Sequence, residues 1–282
     1  NMQSSVSPER AKMILEMLTS GGAMSDINTP LALRLIPLAI ELDDVELAER
    51  LLDHAANVAE NEVESGWTKF ETLKHINAGV DTFYQLAAES EQLSEGERLA
   101  AAVLHHVSLL QLAADDLDDA KLSATRALRI REEIEDSSGI VYGIAVLEAI
   151  AKKQNDIDTA IALGTRRVEI LMRDNDEDGQ VEAMSDLAHS QATVGHFDSA
   201  RDLYTESLEI AKRLEDLSGQ LVAYWGLADL CEINEDYESA MIHLSDCLHA
   251  FLEQNLPAPT QVRIRINALA DIQDNPTADN KQ

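Results

Sequence analysis

The chain has 282 residues, 45% of them hydrophobic and 26% charged, which is the composition of a globular protein rather than a disordered one. Aromatics make up 4%, with 12 Gly and 6 Pro, too little turn chemistry for a sandwich or barrel of many short strands. Acids outnumber bases 52 to 22, and a formal charge of −30 repels phosphate backbones and anionic lipid surfaces.

Two cysteines, Cys231 and Cys247, do not make a disulfide scaffold, and no apolar run reaches the roughly 18 residues of a membrane span. The opening segment Met2 to Pro8 lacks the basic and apolar regions of a signal peptide. The expected location is the cytoplasm.

In chain order, Ser7-Pro8-Glu9 opens a short helix to about Thr19, ended by Gly21-Gly22; residues 1–28 read as this helix and a linker. Thr29-Pro30 is an N-cap and N1 pair. Leu31 to Leu42 and Val45 to Ala56 form a helix pair, with Pro37 expected to kink its first member. Residues 64–92 carry a divergent pair with Trp67 and Phe70 on its first helix.

From about residue 97 a repeat takes over. Gly139, Gly179 and Gly219 stand 40 residues apart, each after an acidic stretch, and read as closing acidic turns. Ala120, Ala160, Ala200 and Ala240 keep the same period. So do Leu117, Ile157, Phe197 and Tyr237, then Leu128, Val168, Leu208 and Leu248, and finally Val107, Leu147, Leu187 and Leu227. Within one unit, Val181, Met184, Leu187, Ala188 and Gln191 share one helical face. Gly195-His196-Phe197-Asp198 interrupts it, with Asp198 as N-cap, and Ala200, Leu203, Tyr204, Ser207, Leu208 and Ala211 form the next face. Each unit is thus an antiparallel helix pair that must stack on its neighbours to bury both faces. Pro257-Ala258-Pro259 breaks the chain before a last helix over 260–272, whose Arg263 and Arg265 suit a polar cap, and 273–282 is expected to be a disordered tail.

The residues Leu187-Ala188, Gly195, Ala200, Tyr204, Ser207 and Leu208, repeated as Leu227-Ala228, Tyr237, Ala240 and Leu248, resemble the tetratricopeptide family in its 40-residue-repeat form. Three positions depart from that pattern: Glu148 and Arg167 where small residues belong, and Gly164 in place of an aromatic. The resemblance implies an all-α, right-handed α-α superhelix over 29–272, clearest over 97–259. It also implies a concave surface lined by the first helix of each pair. Carried over residue by residue, that surface holds His105, Leu109, Leu112, Tyr142, Lys152, Lys153, Glu182, Ser185, His189, Trp225 and Asp229, with Val222, Glu232 and Ile233 beside them. Trp225 and Tyr142 are its expected anchors, because aromatics dominate interface energetics. The carboxylate clamp of the chaperone-tail subgroup needs Lys and Asn on successive helices; Lys152 and Lys153 are present without the Asn.

Asp174-Asn175-Asp176-Glu177-Asp178-Gly179 has the opening of a calcium loop, but Ser185 stands where the bidentate Glu belongs, so a solvated acidic turn is expected. The Asp186/His189 and Asp246/His249 spacings lack a facing partner motif, and no phosphate loop or nucleophile elbow occurs. No metal, cofactor or catalytic residue is expected. The chain reads as a scaffold that binds a protein or peptide, with a basic partner favoured by the charge and a homo-oligomer left open, without nucleic acid or membrane. The alternatives are a regulatory sensor that changes conformation on binding a signal peptide and, from charge alone, an acidic decoy of nucleic acid.

Overall fold

The computed structural model describes residues 6–275, and within them every regular element is an α-helix. The tail expected over 273–282 falls mostly outside that range, and its first two residues belong to the last helix. The chain divides into two compact units, residues 1–143 and 144–282, with the division inside one helix.

The first unit begins with α1 (Pro8–Thr19), α2 (Thr29–Glu41), α3 (Val45–Val58), α4 (Glu62–His75) and α5 (Val80–Glu91). Ser7 caps α1 through the Arg10 N–H. The cap of α2 is Asn28 rather than Thr29: Asn28 Oδ1 accepts from Leu31, and the Thr29 hydroxyl instead donates to the Ala55 carbonyl of α3, a 2.7 Å bond that ties the pair together. Helix α2 runs on through Pro37. The divergent pair around Trp67 is α4 and α5, where Phe70 and Phe83 meet edge-to-face at 6.0 Å.

From α6 the geometry becomes periodic. Helices α6 (Glu97–Ala113), α7 (Leu117–Glu133), α8 (Ser137–Lys153), α9 (Ile157–Arg173), α10 (Glu177–Thr193), α11 (Phe197–Arg213), α12 (Leu217–Ile233) and α13 (Tyr237–Glu253) each have 17 residues and are joined by three. The joint is a Schellman turn. At the end of α6, Asp115 has φ 62°, its N–H bonds to the Leu112 carbonyl, and the Asp116 N–H reaches back to Gln111 at 2.9 Å. Positive φ recurs at Glu135, Asn155, Asn175, Gly195, Glu215, Glu235 and Asn255.

The repeated glycines do not close these turns. Gly139, Gly179 and Gly219 sit in the first turns of α8, α10 and α12, and their N–H groups donate to the capping carboxylates of Asp136, Asp176 and Asp216. A Cβ on Gly219 would stand 2.5 Å from Asp216 Oδ2 and 2.5 Å from Val181 Cγ1, so close approach rather than turn conformation requires glycine there. The expected cap Asp198 lies instead within α11, paired with exposed Arg201; the N-cap position, Asp in α9 and α13, is His196 here and makes no side-chain cap bond.

The alanine column packs tightest: Ala120, Ala160, Ala200 and Ala240 have no solvent exposure. In the second unit, Ser207 on α11 donates to the Val181 carbonyl of α10 at 2.7 Å and pairs with Ser185, which is buried at the floor of the α10 face. Helix α14 (Thr260–Asp274) follows the Pro257–Pro259 break and inserts Val262 and Leu269 into the core of this unit.

Two stability measurements follow from this packing. Glu215 holds a left-handed conformation with an acidic side chain at a helix C-terminus, where both the Cβ and the negative end of the dipole are unfavourable. Glu215→Gly should raise stability by about 1 kcal/mol in denaturant unfolding. Ala200→Asp should lower it by several kcal/mol, since it places an unpaired charge between touching helices.

Candidate functional site

The positions expected on the concave side fall in both units. In the first, Leu109 is exposed, Leu112 half-buried, and Tyr142 is 65% exposed on α8. His105 turns inward between helices: its Nδ1 lies 3.1 Å from an Arg131 guanidinium nitrogen, and Arg131 also donates to the Gly139 carbonyl. Burial first, then Arg131 and His106, lowers the His105 pKa to about 4, so the ring is neutral in the folded protein near pH 7.

In the second unit, Glu182 and His189 project from α10 and Asp229 from α12, all exposed, with Lys153 exposed at the end of α8. Trp225 is half-buried. Between α10 and α12 lies a cleft of about 400 Å³ lined by Asp178, Glu182, Asp186 and Asp216, with Val181 and the half-exposed Val222 as its apolar part. The same stretch carries Asp176, which caps α10, and Asp174, which pairs with Arg173; the calcium-like spacing is therefore engaged in helix capping and surface pairing. Among the described residues no group of His, Cys, Asp and Glu converges with metal-site geometry.

The three departures from the repeat pattern form a single feature. Glu148 on α8 and Arg167 on α9 are both almost fully buried, 3.4 Å apart. One repeat later the same positions are Ala188 and Ser207, with Tyr204 at the position of Gly164. A Cβ at Gly164 would lie 3.2 Å from Glu148 Oε1 and 3.2 Å from Leu187 Cδ1. The volume of a tyrosine ring has thus been exchanged for a carboxylate and a guanidinium. Arg167 continues to Asp186 on α10 at 2.9 Å, while Lys152 donates to the Asp186 carbonyl and lies 3.6 Å from Glu148. Lys152 therefore serves this seam instead of standing clear in the groove. Burial raises the Glu148 pKa despite its cationic neighbours. Glu148, Arg167 and Asp186 are absent from the set expected on the concave side, and the joint departure of 148, 164 and 167 from their columns is the signal that points to them.

A second cluster lies at the end of α12. Arg265, from α14, stacks its guanidinium 4.5 Å above the Trp225 ring. It donates to Asp229 Oδ1 at 2.6 Å and to Glu232, and more weakly to the Trp225 carbonyl at 3.4 Å. The expected polar cap is in fact a specific ion pair that covers the expected anchor.

Arg167→Ser alone should cost about 3–5 kcal/mol, because it strands a buried carboxylate. The triple change Glu148→Ala, Gly164→Tyr and Arg167→Ser restores the residues of the next repeat and should recover most of that loss, read from chemical unfolding curves. For His105 the sign is set by its lowered pKa. Between about pH 6.5 and 4 the unfolded ring takes up a proton that the folded ring refuses, so stability falls as pH drops through that window. His105→Asn should be less sensitive over that range than the parent protein, whereas Glu148, with its pKa raised, acts in the opposite sense in both.

No protein-family model matches this chain, and no curated protein sequence matches it either. Solved structures do. RapI in its apo form aligns with a TM-score of 0.69 at 12% identity, covering 94% of this chain and 75% of that one. A Signal Transduction ATPase with Numerous Domains from Pyrococcus horikoshii, described as having a tetratricopeptide repeat sensor, aligns at 0.64 and 16% identity over 96% of this chain. This chain spans only 40% of that protein's length. NprR, a quorum sensor from B. thuringiensis also solved with its cognate peptide NprX, aligns in its apo form at 0.59 and 14% identity, covering 97% and 77%. The chain is an all-α protein with a tetratricopeptide-like fold.

Proposed function

We propose that the second unit is a binding module for a basic protein or peptide segment, and that the repeat is of the 40-residue tetratricopeptide type. The observation that carries the reading is the cleft between α10 and α12, where four carboxylates surround Val181 and Val222 in a chain of net charge −30. Such a surface attracts cations at long range and offers apolar contact at short range. The residues of the site supply recognition chemistry rather than a nucleophile or an acid–base pair, which favours a binding role over an enzymatic one. Free Cys231 and Cys247, the latter with its thiol pushed up to about 11 by burial, suit a reducing cytoplasm. Tyr142, exposed in the first unit, is a candidate second anchor.

A regulatory sensor is the second reading, favoured by the similar fold of NprR, solved with its cognate peptide, and of the protein with a tetratricopeptide repeat sensor. The sensor reading requires that bound peptide alter the scattering profile of the protein; a scaffold binds without that change.

The test uses labelled basic peptides with interspersed apolar residues. Association should slow as salt rises from 50 to 300 mM, values spanning a Debye length of roughly 14 to 6 Å. Val222→Ser should speed dissociation severalfold, and Glu182→Gln should slow association. Salt-independent association together with unchanged rates in both variants would exclude this cleft.

A further inference from the structure

We infer that Trp225, Asp229 and Glu232 form an arginine receptor, occupied within the chain by Arg265, and that an arginine-bearing peptide segment binds by exchanging with it. The inference rests on the groove-binding reading and names the chemistry that part of the groove selects.

The receptor has the components that guanidinium recognition requires. An indole presents its face to the cation at 4.5 Å, Asp229 and Glu232 both accept from one terminal guanidinium nitrogen, and the Trp225 carbonyl accepts from the other at 3.4 Å. A lysine ammonium lacks both the planar face and the fork, so the site should discriminate between the two cations. The Arg265 side chain is only 12% exposed.

The occupant is held by a weak element. Helix α14 buries only Val262 and Leu269 among its 15 residues, whereas α10 buries eight of 17. It leaves Ile264 62% exposed, and it is tethered through the segment Leu256–Pro259, whose Leu256 and Pro257 are exposed. Elements with little buried apolar surface open at low free-energy cost. A bound arginine from outside would replace each contact that Arg265 gives up, so the exchange conserves the charge pairing.

An internal occupant lowers apparent affinity by the fraction of time the receptor is free. Arg265→Ala in the full chain should therefore bind a labelled hexa-arginine peptide at least about tenfold more tightly than the parent, if the receptor is closed nine-tenths of the time. The gain should be smaller for hexa-lysine and should vanish in Arg265→Ala/Trp225→Ala. Hexa-arginine added to the parent protein should speed hydrogen exchange across residues 260–274, which an Arg265 with a purely structural role would not do. Arg265→Lys, which keeps a charge on α14, covers the case in which the alanine variant fails to fold and should show an intermediate gain. Equal affinity of Arg265 variants and parent, equal binding of arginine and lysine peptides, or unchanged exchange in α14 would each overturn the receptor. If those fail while Val222→Ser and Glu182→Gln still alter peptide kinetics, the cleft stands without the receptor. If the arginine-specific gain appears and those two variants are silent, the receptor stands and the cleft falls.

Discussion

A helix that stops leaves its last carbonyls without partners, and the next helix begins with N–H groups in the same condition. In this chain one three-residue turn answers both needs. A left-handed residue folds two N–H groups back onto the finished helix, as Asp115 and Asp116 do for Leu112 and Gln111. At Asp156, Asp176, Asp216 and Asp236, the residue after it caps the new helix with its side chain. Because the turn has constant length from α6 to α13 and each of those helices has 17 residues, each facing position recurs in register. The zero exposure of the alanine column and the close approach at Gly219 both depend on that register. Slipping one turn by a residue would rotate a helix by about 100° and lose the packing of its whole face.

That regularity makes the exception at Glu148, Gly164 and Arg167 informative. A buried ion pair contributes less to stability than an apolar filling of the same volume, because both charges must leave water. The pair stands where α8, α9 and α10 meet and extends through Asp186 and Lys152 toward the surface that holds the acidic cleft. Its charges are tied to one another across three helices, so it fixes where Asp186 presents its carboxylate. The neighbouring repeat accomplishes the same packing with Tyr204, whose hydroxyl pKa is pushed up to about 12 by burial and then by Asp229 and Asp186.

The net charge of −30 acts over the whole surface, whereas the candidate site is local. The cleft lies between α10 and α12, and the Trp225 box lies on α12 against α14. The first helices of the pairs supply both, because they are buried along two sides and leave only a narrow strip of residues such as Glu182, His189, Val222 and Asp229 in solvent. A narrow strip at fixed spacing suits an extended or helical segment more than a compact ligand.

By itself the sequence determined the helical class, the 40-residue period and the residues of the alanine column, since these follow from local periodicity and from side-chain size at fixed spacing. Through the tetratricopeptide resemblance it also pointed to first-helix positions as the candidate strip. It misplaced the glycines, which look like turn residues in a linear reading, because the need for Gly219 comes from Val181, 38 residues away. Only the tertiary structure decided that Ser185 is buried, that His105 is held neutral against Arg131, and that Glu148 and Arg167 lie 3.4 Å apart in the interior. Only it brought Arg265 onto Trp225 across 40 residues of chain. A helix's own pattern records which face is apolar but not which charge on another helix will meet its exposed edge. Those pairings depend on the distance and direction between side chains remote in sequence, and folding alone sets both.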